Sequence, residues 1–149
     1  MEICRATEND LPDILDLQYL AYQSEAALFG SKDIPPLKQT LDELTDEFNN
    51  GVILKLMTED NTIIGSVRAN LKDETAYIGK LMVHPDYRHK GFGSKLLTEI
   101  ENYFPKTRYE LFTSTKSLDN IRLYQNNGYE IFDQKEINDE LVFVYMQKQ

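Results

Sequence analysis

Arg88, Gly91 and Gly93 stand in the order Arg-x-x-Gly-x-Gly, a spacing suited to holding an anion. An apolar run, Leu81-Met82-Val83, precedes them. Ser94, Lys95, Leu96 and Leu97 follow with the pattern of an amphipathic helix. At such a strand-to-helix junction glycines let the backbone turn tightly, and the first helical N–H groups point outward without intrahelical partners. The helix dipole favours negative charge at the same end. A phosphate-bearing ligand is therefore expected on residues 88–94.

The glycine spacing narrows the choice of ligand. A dinucleotide fingerprint requires a third glycine where this chain has Leu96. A nucleotide-triphosphate loop requires Gly-Lys-Ser/Thr, whereas Gly93 is followed by Ser94-Lys95. What remains, Arg-x-x-Gly-x-Gly after a strand ending in Val83-x-Pro85, closely resembles the acetyl-CoA-binding motif of the GNAT superfamily of N-acetyltransferases. A second stretch, from Asn120 through Tyr124 to Gly128-Tyr129, is similar to another motif of that family, in which an Asn and a Tyr four residues apart face the cofactor. The opening Ile3-x-Arg5-Ala6-Thr7-x-x-Asp10 extends the resemblance over nearly the whole chain.

The resemblance implies transfer of an acetyl group from acetyl-CoA to an amine. Backbone N–H groups of Arg88, His89, Lys90, Gly91, Phe92, Gly93, Ser94 and Lys95 would cradle the pyrophosphate, with a cationic contact from Arg88 and with Lys90 and Lys95 near the other phosphates. The pantetheine arm would lie along Leu81-Met82-Val83, a strand that is bulged and splayed in the family. The N–H of Leu81 or Met82 would stabilise the oxyanion as the amine attacks through a tetrahedral intermediate. Tyr124, on one helix face with Asn120, is the candidate acid for the departing thiolate. The base stays open. Glu74 leads as a carboxylate before the splayed strand, with Asp73, Glu25 and Glu110 as alternatives, while His84 suits structure or cofactor contact better.

Tyr22, Glu25 and Phe29 fall where the family binds its acceptor, and they suit a small cationic amine by charge and cation–π contact. A protein lysine or N-terminus is the alternative acceptor, and a non-catalytic acyl-CoA-binding regulator the alternative role. Only His84 and His89 are available and no cysteine cluster accompanies them, so no metal site is expected.

These residues need a scaffold, and the chain's patterning predicts one. Strands are expected at residues 2–7, 52–57, 62–71, 75–83, 108–113, 128–134 and 141–146. One helix should start at an Asp10 N-cap and carry Leu11, Ile14, Leu15, Gln18 and Tyr22. After a loop over residues 29–36, a second should present Leu37, Thr40, Leu41, Leu44 and Phe48 on one face. Others follow at residues 94–104 and 118–126. The fold class is then mixed α/β: a mostly antiparallel mixed sheet of about seven strands, splayed at its centre and flanked by about four helices, all in one domain over residues 1–149.

Composition bounds the partners. A formal charge of −9 argues against nucleic acid and anionic membrane, which need clustered cationic charge. No apolar run approaches a membrane span and no signal-peptide core is seen, so none is expected. The single cysteine, Cys4, points to a reducing, cytoplasmic setting. The late strands are the expected place for a homodimer contact.

Overall fold

Seven strands form one sheet in the computed structural model, which describes residues 1–149. They are β1 (Glu2–Arg5), β2 (Val52–Met57), β3 (Ile63–Lys72), β4 (Thr75–Val83), β5 (Arg108–Ser114), β6 (Glu130–Glu136) and β7 (Val142–Lys148). Their spatial order is β1-β2-β3-β4-β5-β7-β6. All neighbours are antiparallel except β4 and β5. The helical segments are α1 (Leu11–Ala21), α2 (Gln23–Phe29), α3 (Pro35–Lys38), α4 (Leu41–Asn49), α5 (Phe92–Asn102) and α6 (Leu118–Asn126).

Strand alternation sends successive residues to opposite faces, and helices cover both. On β2, Leu54 and Leu56 meet Leu96, Leu97 and Ile100 of α5, all almost fully buried. Ile53, just before Leu54, faces the other way into a cluster with Leu11, Ile14 and Leu15 of α1 and Leu44 of α4. Burying each such side chain contributes about 1.5–3 kcal/mol, so these faces fix which helix lies on which side.

Three helical expectations change. Asp10 stands at the N-cap position of α1, but its side chain makes no cap bond to the helix. Its carboxylate accepts from the Thr7 backbone N–H at 2.8 Å and pairs with Lys55 at 2.8 Å, closing a 3-10 turn ahead of the helix. The helix expected through Phe48 is interrupted after Lys38, because Gln39 is extended and Thr40 caps α4 by accepting from the Glu43 N–H at 3.2 Å. Residues 23–29 form α2 after a break at Tyr22, and Gly30, at φ +68°, ends it. The number of helical segments rises accordingly, while the sheet matches the expected class.

The centre of the sheet decides the site. β4 and β5 pair only at Thr75–Arg108, Ala76–Tyr109 and Tyr77–Glu110. Beyond that, β4 stays on β3 up to Val83 and β5 stays on β7 up to Ser114, so the two strands part into a V. Within β4 the register to β3 slips by one residue. Ser66 faces Met82 and Arg68 faces Gly79, leaving Val67 opposite both Lys80 and Leu81. Lys80 takes a left-handed φ of +51°. This is a β-bulge, and it re-aims the backbone at the mouth of the V.

Candidate active site

A cleft of about 780 Å³ fills the V. The β4–α5 loop forms one wall and α6 the other, with the α1–α2 junction closing the top. Since β5 has departed, the groups of β4 that would have bonded it, from Ile78 to Val83, have no strand partner.

The loop presents its amides. Gly91 is left-handed at φ +84° and N-caps α5. The first backbone bond of that helix is Lys95 N–H to the Gly91 carbonyl at 3.3 Å, so N–H groups from residue 89 to residue 94 meet no acceptor in the protein. A run of free amides at a helix N-terminus is an anion site. Gly93 serves close packing. A Cβ there would come within 3.2 Å of the Leu123 side chain, so its lack of one lets α5 approach α6. Asn127 completes the junction by donating to Ser94 Oγ at 3.2 Å.

Arg88 stands apart from the other loop residues. Its Nη2 donates to the Ala21 carbonyl at 2.7 Å, Nη1 to Ser24 Oγ at 3.0 Å and Nε to the Val83 carbonyl at 3.2 Å. The guanidinium staples the loop onto the end of α1 and the start of α2, a structural role that the sequence did not announce. Lys90 and Lys95 are exposed, lying over the Tyr87 and Phe92 rings at 5.7 and 5.5 Å. His89 is exposed at φ +63°. His84 accepts from the Asp86 N–H through Nδ1 at 3.1 Å and so caps the turn before the loop.

On the opposite wall Tyr124 is buried, and burial pushes its phenol well above the ordinary value, with Tyr22 and Glu25 adding to the effect. Asn120, one turn earlier, donates to Glu25 Oε1 at 3.2 Å. The Glu25 carboxylate also accepts from Ser117 Oγ at 2.8 and 3.0 Å. Glu25 therefore lines the cleft but is engaged by α6. Tyr22 lines the same cleft, and burial raises its phenol too. Phe29 lies at the outer end, its ring 6.0 Å from Lys116 Nζ. Leu81, Met82 and Val83 form the β4 side, with the Met82 side chain packed on Leu17 and Ala21 of α1.

Glu74 is not brought to this cleft. It sits exposed in the β3–β4 turn at φ +66°, where its carbonyl accepts from the Arg108 N–H at 3.2 Å. The turn chemistry of Asp73-Glu74 explains both acids, and the base must be sought elsewhere.

A second hollow of about 440 Å³ lies between α4, β3, β4 and β5, rimmed by Asp46, Glu47 and Glu110. Only Ile78, Gly79, Lys80 and Phe112 line both spaces. Arg68 forms part of its floor. It is 5% exposed, donates to Gln18 and Gln39, and pairs with Glu47 at 3.0 Å. Sequence reasoning missed Arg68 and Lys80. Arg68 is a lone charge within the apolar and small-residue run of β3, and Lys80 is a lone charge within Ile78-Gly79-Lys80-Leu81. Those interruptions were the available signal.

A sequence profile of the acetyltransferase (GNAT) family matches residues 11–129. The chain belongs to the GNAT acetyltransferase family. No curated protein sequence matches it. Solved structures share the fold of this GNAT protein at low identity. PaiA N-acetyltransferase from Thermoplasma acidophilum, in complex with coenzyme A, has a TM-score of 0.83 at 20% identity, over 99% of this chain and 98% of that one. The ribosomal-protein-S18-alanine N-acetyltransferase from Escherichia coli has a TM-score of 0.79 at 15% identity, over 99% and 92%. A phosphinothricin acetyltransferase from Sinorhizobium meliloti, in complex with AcCoA, has a TM-score of 0.76 at 17% identity, over 99% and 86%. The GNAT protein thus has a donor cleft whose free amides suit the phosphates of acetyl-CoA.

Proposed function

We propose that this GNAT protein transfers the acetyl group of acetyl-CoA to the primary amine of a small cationic acceptor. The observation that carries the reading is the run of unpartnered amides over residues 89–94, opening onto the splayed edge of β4 with Tyr124 across the cleft. Acetyl-CoA, when bound, supplies an activated thioester. The amides of residues 89–94 hold its pyrophosphate, and β4 from Ile78 to Val83 offers backbone groups to the amides of its pantetheine arm. The N–H of Leu81 or Met82, freed by the bulge, donates to the carbonyl oxygen as negative charge develops there.

Tyr124 keeps its proton at neutral pH because burial disfavours the phenolate, and it delivers that proton to the leaving sulfur. Asn120 and Glu25 hold α6 and α2 together beside it. The acceptor enters from the second hollow, where Asp46, which has no ion-pair partner, favours a cation and where the lining meets the donor cleft at Lys80. Tyr22 and Phe29 line the cleft above this junction.

A thiol-release assay over a panel of amines tests the reading. Polyamine-like, aminoglycoside-like or lysine-like acceptors should be turned over, and activity confined to neutral or acidic acceptors would overturn the cationic class. No helix of the chain is long and apolar enough to cross a membrane. A cytoplasmic location agrees with the single cysteine, Cys4. A homodimer would pair along the edge strand β6, whose residues are all exposed, and light scattering measures that state directly.

A further inference from the structure

We infer that Lys80 is the group that takes the proton from the acceptor ammonium, working from the junction of the donor cleft and the second hollow. The inference rests on the acetyl transfer proposed above and supplies the base that Glu74 does not. Lys80 is the only titratable side chain lining both spaces, the other shared residues being Ile78, Gly79 and Phe112. It occupies the first position of the β4 bulge, in a left-handed conformation, next in the chain to Leu81 and Met82, whose N–H groups are the two nominated for the thioester carbonyl.

Its surroundings favour the neutral amine. Burial lowers the Lys80 pKa, the Arg68 charge lowers it further, and Glu47 acts the other way. Glu47 is paired with Arg68 at 3.0 Å and Glu110 with Arg108 at 2.8 Å, while Lys80 has no ion-pair partner. The groups facing it are Arg68 from β3, Asp46 and Glu47 from α4, Tyr77 from β4 and Glu110 from β5 on the hollow side. On the cleft side the titratable and charged groups are Tyr22 and Glu25 from the α1–α2 segment, Tyr87, Arg88 and His89 from the loop, and Lys116, Asp119 and Tyr124 at α6. A bound ammonium adds one more positive charge and pushes Lys80 further toward neutrality.

The protons balance. Neutral Lys80 Nζ accepts one proton from the acceptor ammonium, and the freed lone pair forms the C–N bond to the acetyl carbon. The C–S bond breaks, sulfur leaves with its electron pair and takes the Tyr124 proton, and the second proton of the new amide nitrogen returns to Tyr124 through solvent. Lys80 then releases its proton to water through the hollow.

Lys80→Met and Lys80→Arg, assayed with a turned-over amine across pH, test the assignment. Lys80→Met should lower kcat/KM at pH 7.5 by about 10²–10³-fold, within the usual range for a general base. Its activity should rise only as the acceptor amine itself deprotonates, near pH 10. The wild-type rise should come at lower pH, and acetyl-CoA affinity should be unchanged. Lys80→Arg should remain as slow as Lys80→Met, because a guanidinium keeps its proton. Activity of Lys80→Met within threefold of wild type, or recovery of activity in Lys80→Arg, overturns the proposal. Trace acetic anhydride labelling of the wild-type protein, read by mass spectrometry, follows the Lys80 titration without any acceptor. A midpoint below the ordinary lysine value of 10.5 supports the assignment, and an ordinary lysine titration overturns it even if no amine is turned over.

Discussion

Glu25 on α2 accepts a hydrogen bond from Asn120 on α6 at 3.2 Å, joining two walls of the cleft that lie 95 residues apart in the chain. Ser117 reinforces the contact, its one hydroxyl proton shared between the two oxygens of the same carboxylate. Hydrogen bonds to a charged group contribute more than neutral ones, about 1.5–3 kcal/mol each when well made. Glu25→Ala should therefore lower stability by about 1–3 kcal/mol, a Tm decrease of roughly 2–10 °C in a chain of this size. Thermal unfolding measures it. Asn120→Ala combined with Glu25→Ala should cost less than the sum of the single changes, because one variant already breaks the shared contact.

Tyr124→Phe should slow acetylation by about 10²-fold or more, the usual share of a general acid, while acetyl-CoA affinity stays within about threefold. The phenol ring, which packs 6.2 Å from that of Tyr129, is kept and only the proton donor is lost. Steady-state kinetics beside a calorimetric titration separates the two effects. A normal rate would remove Tyr124 from the mechanism.

Arg88→Lys should behave as a loss of structure. A lysine, with one nitrogen at its tip, cannot join all three partners of the guanidinium, Ala21, Ser24 and Val83, and the loop loses its staple to α1 and α2. We expect a stability loss of about 1–3 kcal/mol. The salt dependence of acetyl-CoA binding should be unchanged, which a titration at two ionic strengths reads. A weaker salt dependence would return Arg88 to the phosphates.

Gly91→Ala should weaken acetyl-CoA binding and cost about 1–2 kcal/mol, since φ +84° is unfavourable for a residue with a Cβ. No neighbouring atom lies within 4 Å of such a Cβ, so the effect is one of backbone conformation alone. Gly93→Val should act through a different term, by pressing on Leu123 and parting α5 from α6. Chemical denaturation and ligand titration on both variants distinguish them.

Acid should weaken the pairing of Asp10 with Lys55. Burial raises the Asp10 pKa, but hydrogen bonds from Lys55 and Thr7 outweigh it and the net shift is downward. A carboxyl with a depressed folded-state pKa stabilises the fold above its unfolded value near 4, and that contribution is lost as pH falls through the folded value. The stability gap between wild type and Lys55→Met should therefore narrow below about pH 4, as measured by denaturant unfolding at several pH values.

Local chemistry was legible in the order of residues. Arg88, Gly91 and Gly93 mark a strand-to-helix turn because few residues tolerate a left-handed backbone, and Gly91 adopts one. The alternation of Ile53, Leu54 and Leu56 marks a strand covered on both faces. What Arg88 does was not legible, because its partners, 64 and 67 residues away, become neighbours only when α1 and α2 fold against the loop. Glu25 and Asn120 each carried a signal of their own, but not the bond between them. Lys80 was hidden for a related reason. In an unbroken strand its side chain would follow the alternation of its neighbours, and the bulge opposite Val67 breaks that rule. Sequence by itself determined the family, the sheet and the loop that holds the donor, because these follow from periodicity and backbone freedom over short stretches. Tertiary structure alone decided which charges are already paired and which side chain stands between the cleft and the second hollow, since pairing and burial depend on groups far apart in the chain.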